Sequence, residues 1–247
     1  MNMSAIVLAG GAGTRMGDIC KDIPKAMLEF NGRPFLEYLV SWLIRVGMQE
    51  VLISTCFLNE KIETYFNTNL WREIGVKVIQ ENEPLGTGGA VRFVAIDAIY
   101  EEIFLCNADT LVELDFPPLY RLARMIDKPM VSVVTLNKGV PNQGAIKVEN
   151  GIVREFQEDG LMRELERNAN SFRASSTGCY FVRKSFILSD VFQQGSSLEK
   201  EILPRLVEQH LLGAISCGEG FFLDYGTPQR YTMIRDNPWV LEKIYGL

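Results

Sequence analysis

The sequence holds a single histidine, His210, at the end of a charged late segment. One imidazole cannot build a histidine-rich metal centre, and a Ser-His-Asp relay would have only this ring to use. Five cysteines stand at 20, 56, 106, 179 and 217, an odd count with no C-x-x-C pair. That pattern argues against a disulfide framework and against zinc, and leaves thiols that pack as small hydrophobes. Long apolar runs are absent: Val131–Leu136 is strand-sized, far short of the ~20 residues that a membrane helix needs. Positive charge is not in excess, and a net charge of −6 makes a nucleic-acid polyanion a poor partner. The amino terminus carries no basic region and no small-residue cleavage site, so a cytoplasmic protein is expected, with no membrane partner.

What is present is an ordinary globular balance, 247 residues with 47% hydrophobic and 23% charged content. A chain of this length buries enough surface to fold without a metal or disulfide staple, as one large domain or at most two. Up to about residue 136, strand and helix patterns alternate. Ser4–Ala9, Val51–Ser54, Val76–Gln80, Ile103–Cys106 and Met130–Leu136 read as strands. Pro34–Val46, Asn59–Phe66, Thr87–Ile99 and Pro117–Ile126 read as helices. The alternation predicts an α/β fold with a Rossmann-like, mainly parallel sheet flanked by helices. Later, Gly144–Glu149, Ile152–Gln157 and Cys179–Val182 are short β runs, which predicts a smaller antiparallel region. Helices are expected at Leu198–Gln209 and Gln229–Arg235, and no linker divides the chain.

After the first strand comes Leu8-Ala9-Gly10-Gly11-Ala12-Gly13-Thr14-Arg15-Met16-Gly17. Clustered glycines let successive N–H groups converge on an anion. Two familiar phosphate loops fail on spacing. The dinucleotide fingerprint G-x-G-x-x-G/A would need glycine or alanine where Met16 stands. The Walker A pattern G-x-x-x-x-G-K-[ST] is one position short between Gly13 and Gly17, with Asp18 in place of its lysine.

What remains is L-A-G-G-x-G-T-R, followed ten residues after Arg15 by Lys25 behind Pro24. This stretch resembles the signature of the nucleoside-diphosphate-sugar pyrophosphorylases, the sugar-1-phosphate nucleotidyltransferases. Three later stretches resemble the same family. Glu83-Pro84-Leu85-Gly86-Thr87-Gly88-Gly89-Ala90 looks like its base-contacting turn, and Asn107-Ala108-Asp109 like its metal-binding aspartate. Asp224-Tyr225-Gly226-Thr227-Pro228 matches its late D-x-G-T-P element. The resemblance runs in order from residue 4 to about 235. Within the family, the Asp22-Ile23-Pro24-Lys25 run and the E-P-L-G-T-G-G-A turn most resemble heptose 1-phosphate guanylyltransferases.

The resemblance implies attack of a sugar phosphate oxygen on the α-phosphorus of a nucleoside triphosphate, with Mg2+ as cofactor and pyrophosphate released. It implies roles in nucleotide-sugar and polysaccharide biosynthesis. Both reactants are anions, so such catalysis consists of positioning and neutralisation, and no proton has to move. Leu8, Ala9, Gly10, Gly11, Gly13 and Thr14 would hold the nucleotide, with backbone N–H groups on its phosphates. Arg15 would grip the leaving pyrophosphate with its planar fork, and Lys25 would sit near the α-phosphate. Asp109 and Asp224 would hold the metal, which takes one or two carboxylates plus substrate phosphates. Asp22 and Asp115 read as solvated or capping carboxylates.

Glu83, Leu85, Gly86 and Gly88 would face the base. A carboxylate offers acceptors only, which suits the N1–H and N2–H2 donors of guanine and favours GTP. Backbone groups of Leu85–Gly88 remain an alternative reader. On the sugar side, Gly144, Thr177, Gly178 and Glu158 match the family's sugar-contacting positions, with Gln143 beside the first. Asp159 stands where the family has a lysine that anchors phosphate, and Arg173 and Lys147 are the candidate replacements. Ser197-Leu198-Glu199-Lys200-Glu201 resembles an S-x-E element and reads equally well as a helix N-cap. A single domain over 1–247 is expected, with a nucleotide-binding half 1–136 and a sugar-binding half 137–247.

The favoured partners are GTP and heptose 1-phosphate, with a homo-oligomer compatible with the sequence. The alternatives are a mannose- or glucose-1-phosphate enzyme using another triphosphate, a cytidylyltransferase for a non-sugar phosphate, and a non-catalytic nucleotide-sensing subunit. Together, Arg15, Lys25, Asp109 and Asp224 favour an enzyme over a sensor.

Overall fold

The computed structural model describes residues 2–136, 144–158, 171–192 and 197–246. Strand β1 (Met3–Leu8) runs into two 3-10 turns, Thr14–Cys20 and Lys25–Met27. A short ribbon follows, β2 (Glu29–Phe30) with β3 (Arg33–Pro34), then helix α1 (Phe35–Arg45). Next come β4 (Glu50–Thr55), α2 (Asn59–Phe66), α3 (Asn69–Glu73), β5 (Val76–Gln80) and α4 (Gly86–Ala95). The alternation continues through β6 (Glu102–Asn107), β7 (Thr110–Val112), α5 (Phe116–Met125) and β8 (Met130–Thr135). The later chain forms β9 (Ala145–Glu149), β10 (Ile152–Gln157), β11 (Ser171–Arg183) and α6 (Lys184–Ile187). A π-type turn, Leu198–Ile202, leads into α7 (Leu203–Glu208) and β12 (Leu212–Ser216). The last elements are β13 (Phe222–Asp224), α8 (Pro228–Arg235) and α9 (Trp239–Tyr245).

Among the described residues, nine strands form one sheet in the order β5-β4-β1-β6-β11-β8-β12-β10-β9. The β5, β4, β1 and β6 neighbours are parallel, as are β8 and β12. Strand β11 enters antiparallel between β6 and β8, and its first half pairs with β9. Both faces of the sheet are buried, as a mainly parallel sheet requires. Side chains alternate along β6, with Phe104 and Cys106 in one apolar cluster and Ile103 and Leu105 in the other. On β11, Cys179 and Phe181 oppose Tyr180 and Val182 in the same way.

The mainly parallel α/β sheet with an antiparallel later portion is the architecture expected. The expected spans Asn59–Phe66, Val76–Gln80 and Ile152–Gln157 recur as α2, β5 and β10. Two expectations are corrected. The Leu198–Gln209 helix is divided, because Pro204 in the first turn of α7 has no N–H to continue the preceding turn. The Cys179–Val182 run is only the end of β11, whose earlier residues include small and polar ones such as Ser171, Ser175 and Ser176. Gln143 and Asp159 lie outside the described residues. All five cysteines are free thiols, and burial pushes Cys179 up to about 12. Among the described residues, no helix is long and apolar enough to cross a membrane.

Candidate active site

Parallel pairing sets the ends of β1, β4 and β6 side by side, with Leu8 opposite both Ser54 and Asn107. Ligand clefts form at such carboxyl ends of parallel strands. Here a cleft of about 570 Å³ opens over them. Its lining includes Leu8, Ala9, Gly10 and Gly11 from the first loop, Lys25, Glu81, Gly86 and Asp109. The loop then turns at Gly13, whose φ of 62° lies in the left-handed region. A Cβ there would also stand 3.2 Å from Cys20 Cβ, tighter than ordinary contact, so the turn favours glycine on two counts.

A second cavity of about 150 Å³ adjoins the first and shares Asn107, Asp109 and Glu199 with it. Its walls include Gly144, Glu158, Thr177 and Gly178, the four residues expected on the sugar side, together with Arg15 and Asp224. Thr177 and Gly178 fall where the β11–β8 register shifts between Ser176 and Cys179. Such a bulge re-aims the strand at a site.

Asp109 and Asp224 are far apart in sequence and are brought together by a small ribbon. Strand β13 pairs antiparallel with β7, which sets Asp224 opposite Thr110, the neighbour of Asp109. The Tyr225 N–H donates to the Asp109 carbonyl at 3.1 Å, and the Tyr225 hydroxyl donates to Ala108 at 2.9 Å. Tyr225 is fully buried, and burial and the Asp109 charge hold its hydroxyl well above its ordinary pKa, so it stays neutral.

Each aspartate carries a resident cation. The Lys25 ammonium donates to Asp109 Oδ2, and lies 5.4 Å from the centre of the Tyr225 ring. The Arg230 guanidinium donates to Asp224 Oδ2 at 2.5 Å from the first turn of α8, where Thr227 caps the helix. The Gly226 N–H donates to Asp224 Oδ1 at 2.9 Å. A Cβ on Gly226 would stand 2.7 Å from that oxygen and 3.1 Å from Arg15 Nη2, so the D-x-G spacing leaves room for both groups. Among the described residues no cluster of three or more His, Cys, Asp or Glu could hold a metal. The two aspartates offer hard oxygen donors without sulfur or imidazole, which suits a magnesium ion that completes its shell with phosphates and water.

Several expected nucleotide contacts fall elsewhere. Glu83 is exposed and does not line the cleft; the nearby carboxylate that does is Glu81. The Glu81 N–H continues the ladder from β5 to the Thr55 carbonyl at 2.8 Å, so the sheet sets its direction, whereas Glu83 stands in the following turn. Glu81 is 5% exposed, accepts from Ser54 Oγ at 2.8 Å and accepts the Leu85 N–H at 3.3 Å. Gly13, Thr14, Leu85 and Gly88 are not among the lining residues, Gly88 being buried in α4. Arg15 lines the smaller cavity, not the larger cleft.

The two candidate replacement cations stand outside both cavities. Lys147 pairs with Glu149 at 2.9 Å, and Arg173 with Glu155 at 3.4 Å. The cation missed from sequence is Arg230. Its signal is the three-residue distance from Thr227 in the D-x-G-T-P element, which puts it on the first helical turn facing back to Asp224. His210 is exposed and meets Arg154 at 3.2 Å.

The family model described as "Nucleotidyl transferase" matches residues 4–237. A D-glycero-alpha-D-manno-heptose 1-phosphate guanylyltransferase from Aneurinibacillus thermoaerophilus is 29% identical, over 93% of this chain and 95% of the relative. An enzyme of the same name from Campylobacter jejuni is 30% identical, over 93% and 97%. The crystal structure of HddC from Yersinia pseudotuberculosis is 26% identical and superposes with a TM-score of 0.77, covering 95% of this chain and 98% of that one. A second HddC structure, described as complexed with GMP-PN, gives a TM-score of 0.78. With the family model spanning nearly its full length, the chain belongs to the nucleotidyl transferase family.

Proposed function

We propose that this chain transfers the guanylyl group of GTP to a sugar 1-phosphate, heptose 1-phosphate in preference, and releases pyrophosphate. The observation that carries this reading is the pair of adjoining cavities that share Asp109, one walled by the glycine loop and Glu81, the other by Gly144, Glu158, Thr177 and Gly178. Two anionic substrates held on either side of one carboxylate–lysine pair can meet there. Guanylyltransferase activity is also what the names of the similar enzymes from Aneurinibacillus and Campylobacter state.

In this reading Gly10 and Gly11 present backbone N–H groups to the triphosphate. Lys25 releases Asp109 and neutralises the α-phosphate and the incoming phosphate, while Arg15 faces the anions from the smaller cavity and Arg230 holds Asp224. A Mg2+ ion held by Asp109 and Asp224 supplies further neutralisation when bound. The attacking phosphate oxygen is already ionised, so displacement at the α-phosphorus needs no general base. We place base recognition on Glu81, whose two oxygens keep acceptor capacity toward guanine N1–H and N2–H2 beside their bonds to Ser54 and Leu85. One domain would carry both sites, since β11 from the later chain sits between β6 and β8. The five free thiols fit a reducing compartment such as the cytoplasm.

The test is a matrix of GTP, ATP, CTP, UTP and dTTP against heptose, mannose and glucose 1-phosphates, read as pyrophosphate release. Highest kcat/KM with GTP and heptose 1-phosphate is expected. Better use of another triphosphate would overturn the guanine assignment, and better use of another sugar phosphate would overturn the heptose assignment.

A further inference from the structure

Glu199 is a residue of both cavities, together with Asn107 and Asp109. It sits in the π-type turn Leu198–Ile202, just after Ser197, whose hydroxyl caps the turn by accepting the Lys200 N–H at 3.2 Å. One of its carboxylate oxygens is fixed from the nucleotide side. Thr87 Oγ1, in the first turn of α4, donates to Glu199 Oε2 at 2.8 Å and accepts the Leu198 N–H at 2.7 Å. Ser197 Oγ donates to the same Oε2 at 3.4 Å.

A hydroxyl has one proton to give, and that of Thr87 is committed to Glu199. The Thr87 hydroxyl thereby ties α4, whose Gly86 and Thr87 line the larger cleft, to the turn that carries a carboxylate into the smaller cavity. Among the described residues, Glu199 Oε1 accepts no hydrogen bond. The side chain is half-buried, so this oxygen is partly withdrawn from water without a protein partner in place of it. The Glu199 charge reaches Tyr180 on the wall of the smaller cavity: burial first, and then Glu199, hold that hydroxyl above its ordinary pKa. Glu158 stands in the same small cavity, with the Lys200 ammonium 3.9 Å away. With Glu158 and Glu199 added to Asp109 and Asp224, this pocket has four carboxylates and backbone at a strand bulge, which suits a ligand rich in hydroxyl donors.

We propose that Glu199 is a sugar-contacting specificity residue, accepting a hydrogen bond from a hydroxyl of the sugar 1-phosphate through Oε1, and that Thr87 is the positioning residue that holds it. This rests on the sugar-1-phosphate reading above and goes beyond it by assigning the hydroxyl reader and its link to the nucleotide side. The coupling has a direction: disturbing Thr87 reaches the sugar through Glu199, whereas removing the Glu199 charge leaves the base and triphosphate contacts in place.

The experiment measures KM for heptose 1-phosphate and for GTP separately, with melting temperature, in wild type, Glu199→Gln, Thr87→Val and Thr87→Ser. Glu199→Gln keeps the shape but loses an acceptor, and its KM for the sugar phosphate should rise at least ~10-fold, the worth of a hydrogen bond to a charged group. Its KM for GTP should stay within about twofold, a shift too small for a lost charged hydrogen bond. Thr87→Val should raise the sugar KM by a smaller factor, and Thr87→Ser should recover most of that loss. Equal rises in both KM values with a lowered melting temperature would reduce Glu199 to a structural brace and overturn the proposal. So would an unchanged sugar KM in Glu199→Gln. Wild-type protein that releases no pyrophosphate with any sugar 1-phosphate would remove the underlying reading and this inference with it, an outcome distinct from either of those.

Discussion

Carboxylates stand at both ends of the same parallel strands, and they are held in opposite ways. At the amino end, Glu50 opens β4 and is 2% exposed. It accepts from Ser4 Oγ at 2.7 Å, from the Ile99 N–H at 2.9 Å and from Lys77 Nζ at 2.7 Å. Burial alone would raise its pKa, but the bonds from Lys77, Ile99 and Ser4 outweigh burial and leave it below the ordinary glutamate value. At the carboxyl end, Asp109 and Asp224 have side chains 29% and 18% exposed, facing a cavity. Each is paired with one long cation, Lys25 or Arg230, and Asp224 also accepts the Gly226 N–H. Both arrangements satisfy a carboxylate. Only the second faces a cavity, where a ligand can take the place of the paired cation. The difference marks Asp109 and Asp224, and not Glu50, as the candidate functional acids.

The largest effects should come from the exchangeable pair. Asp109→Asn and Asp224→Asn should each lower kcat/KM by at least ~10²–10³-fold, the scale of losing an oriented charge at a transition state. Their melting temperatures should stay near wild type, since neither carboxylate is sealed in the core. Near-normal turnover at saturating magnesium in either variant would break the comparison at that residue.

A smaller effect is expected at Glu81, which shares features of both classes, being buried and fixed by Ser54 and Leu85 yet facing the cleft. Glu81→Gln would leave a guanine donor facing an amide N–H2, a mismatch of about 1–3 kcal/mol, or roughly 5- to 150-fold against GTP. ITP, which lacks the 2-amino group, should lose less than GTP. Equal losses for all triphosphates would instead make Glu81 a brace like Glu50.

Glu50 itself supplies the lower bound. Glu50→Ala should leave kcat and KM for both substrates unchanged while costing about 1–3 kcal/mol of stability through donors left unpaired. The pH dependence has a fixed sign. A carboxyl with a lowered folded pKa contributes stability in full above its unfolded pKa and loses it as pH falls through the folded value. Wild type should therefore lose more stability than Glu50→Ala on acidification below the ordinary glutamate range. Parallel acid melting curves for the two would contradict the network described.

The amino half was legible because its signals are local. Apolar runs mark β1, β4, β5 and β6, the glycine loop and Asp109 lie just beyond the ends of β1 and β6, and Lys25 follows Pro24 at the start of a 3-10 turn. The later chain was harder to read for physical reasons. Strand β12 is a short run, Leu212–Ser216, with Gly213 and Ala214 inside it, and β13 has three residues. Neither carries a propensity signal of its own, and both exist because β8 and β7 pair with them. Glu83 is expected at the base because the E-P-L-G-T-G-G-A turn resembles the family's, whereas the ladder from β5 to Thr55 sets the neighbouring acid, Glu81, on the cleft wall. Arg230 escaped because its partner, Asp224, is reached through a helical turn. Gly144, Glu158, Thr177 and Gly178, expected on the sugar side by resemblance, lie just before β9, just after β10 and on β11, and their common cavity forms where the β11–β8 register shifts.

Direct transfer between two substrates held across Asp109 is the core of the account, and pyrophosphate release from GTP with and without heptose 1-phosphate tests it most directly. With Mg2+ and GTP alone, no burst of pyrophosphate should appear. With both substrates, one pyrophosphate should form for each guanosine diphosphate sugar. A stoichiometric burst from GTP alone, followed by product only when the sugar phosphate is added, would mean a covalent guanylyl-enzyme and would contradict direct attack.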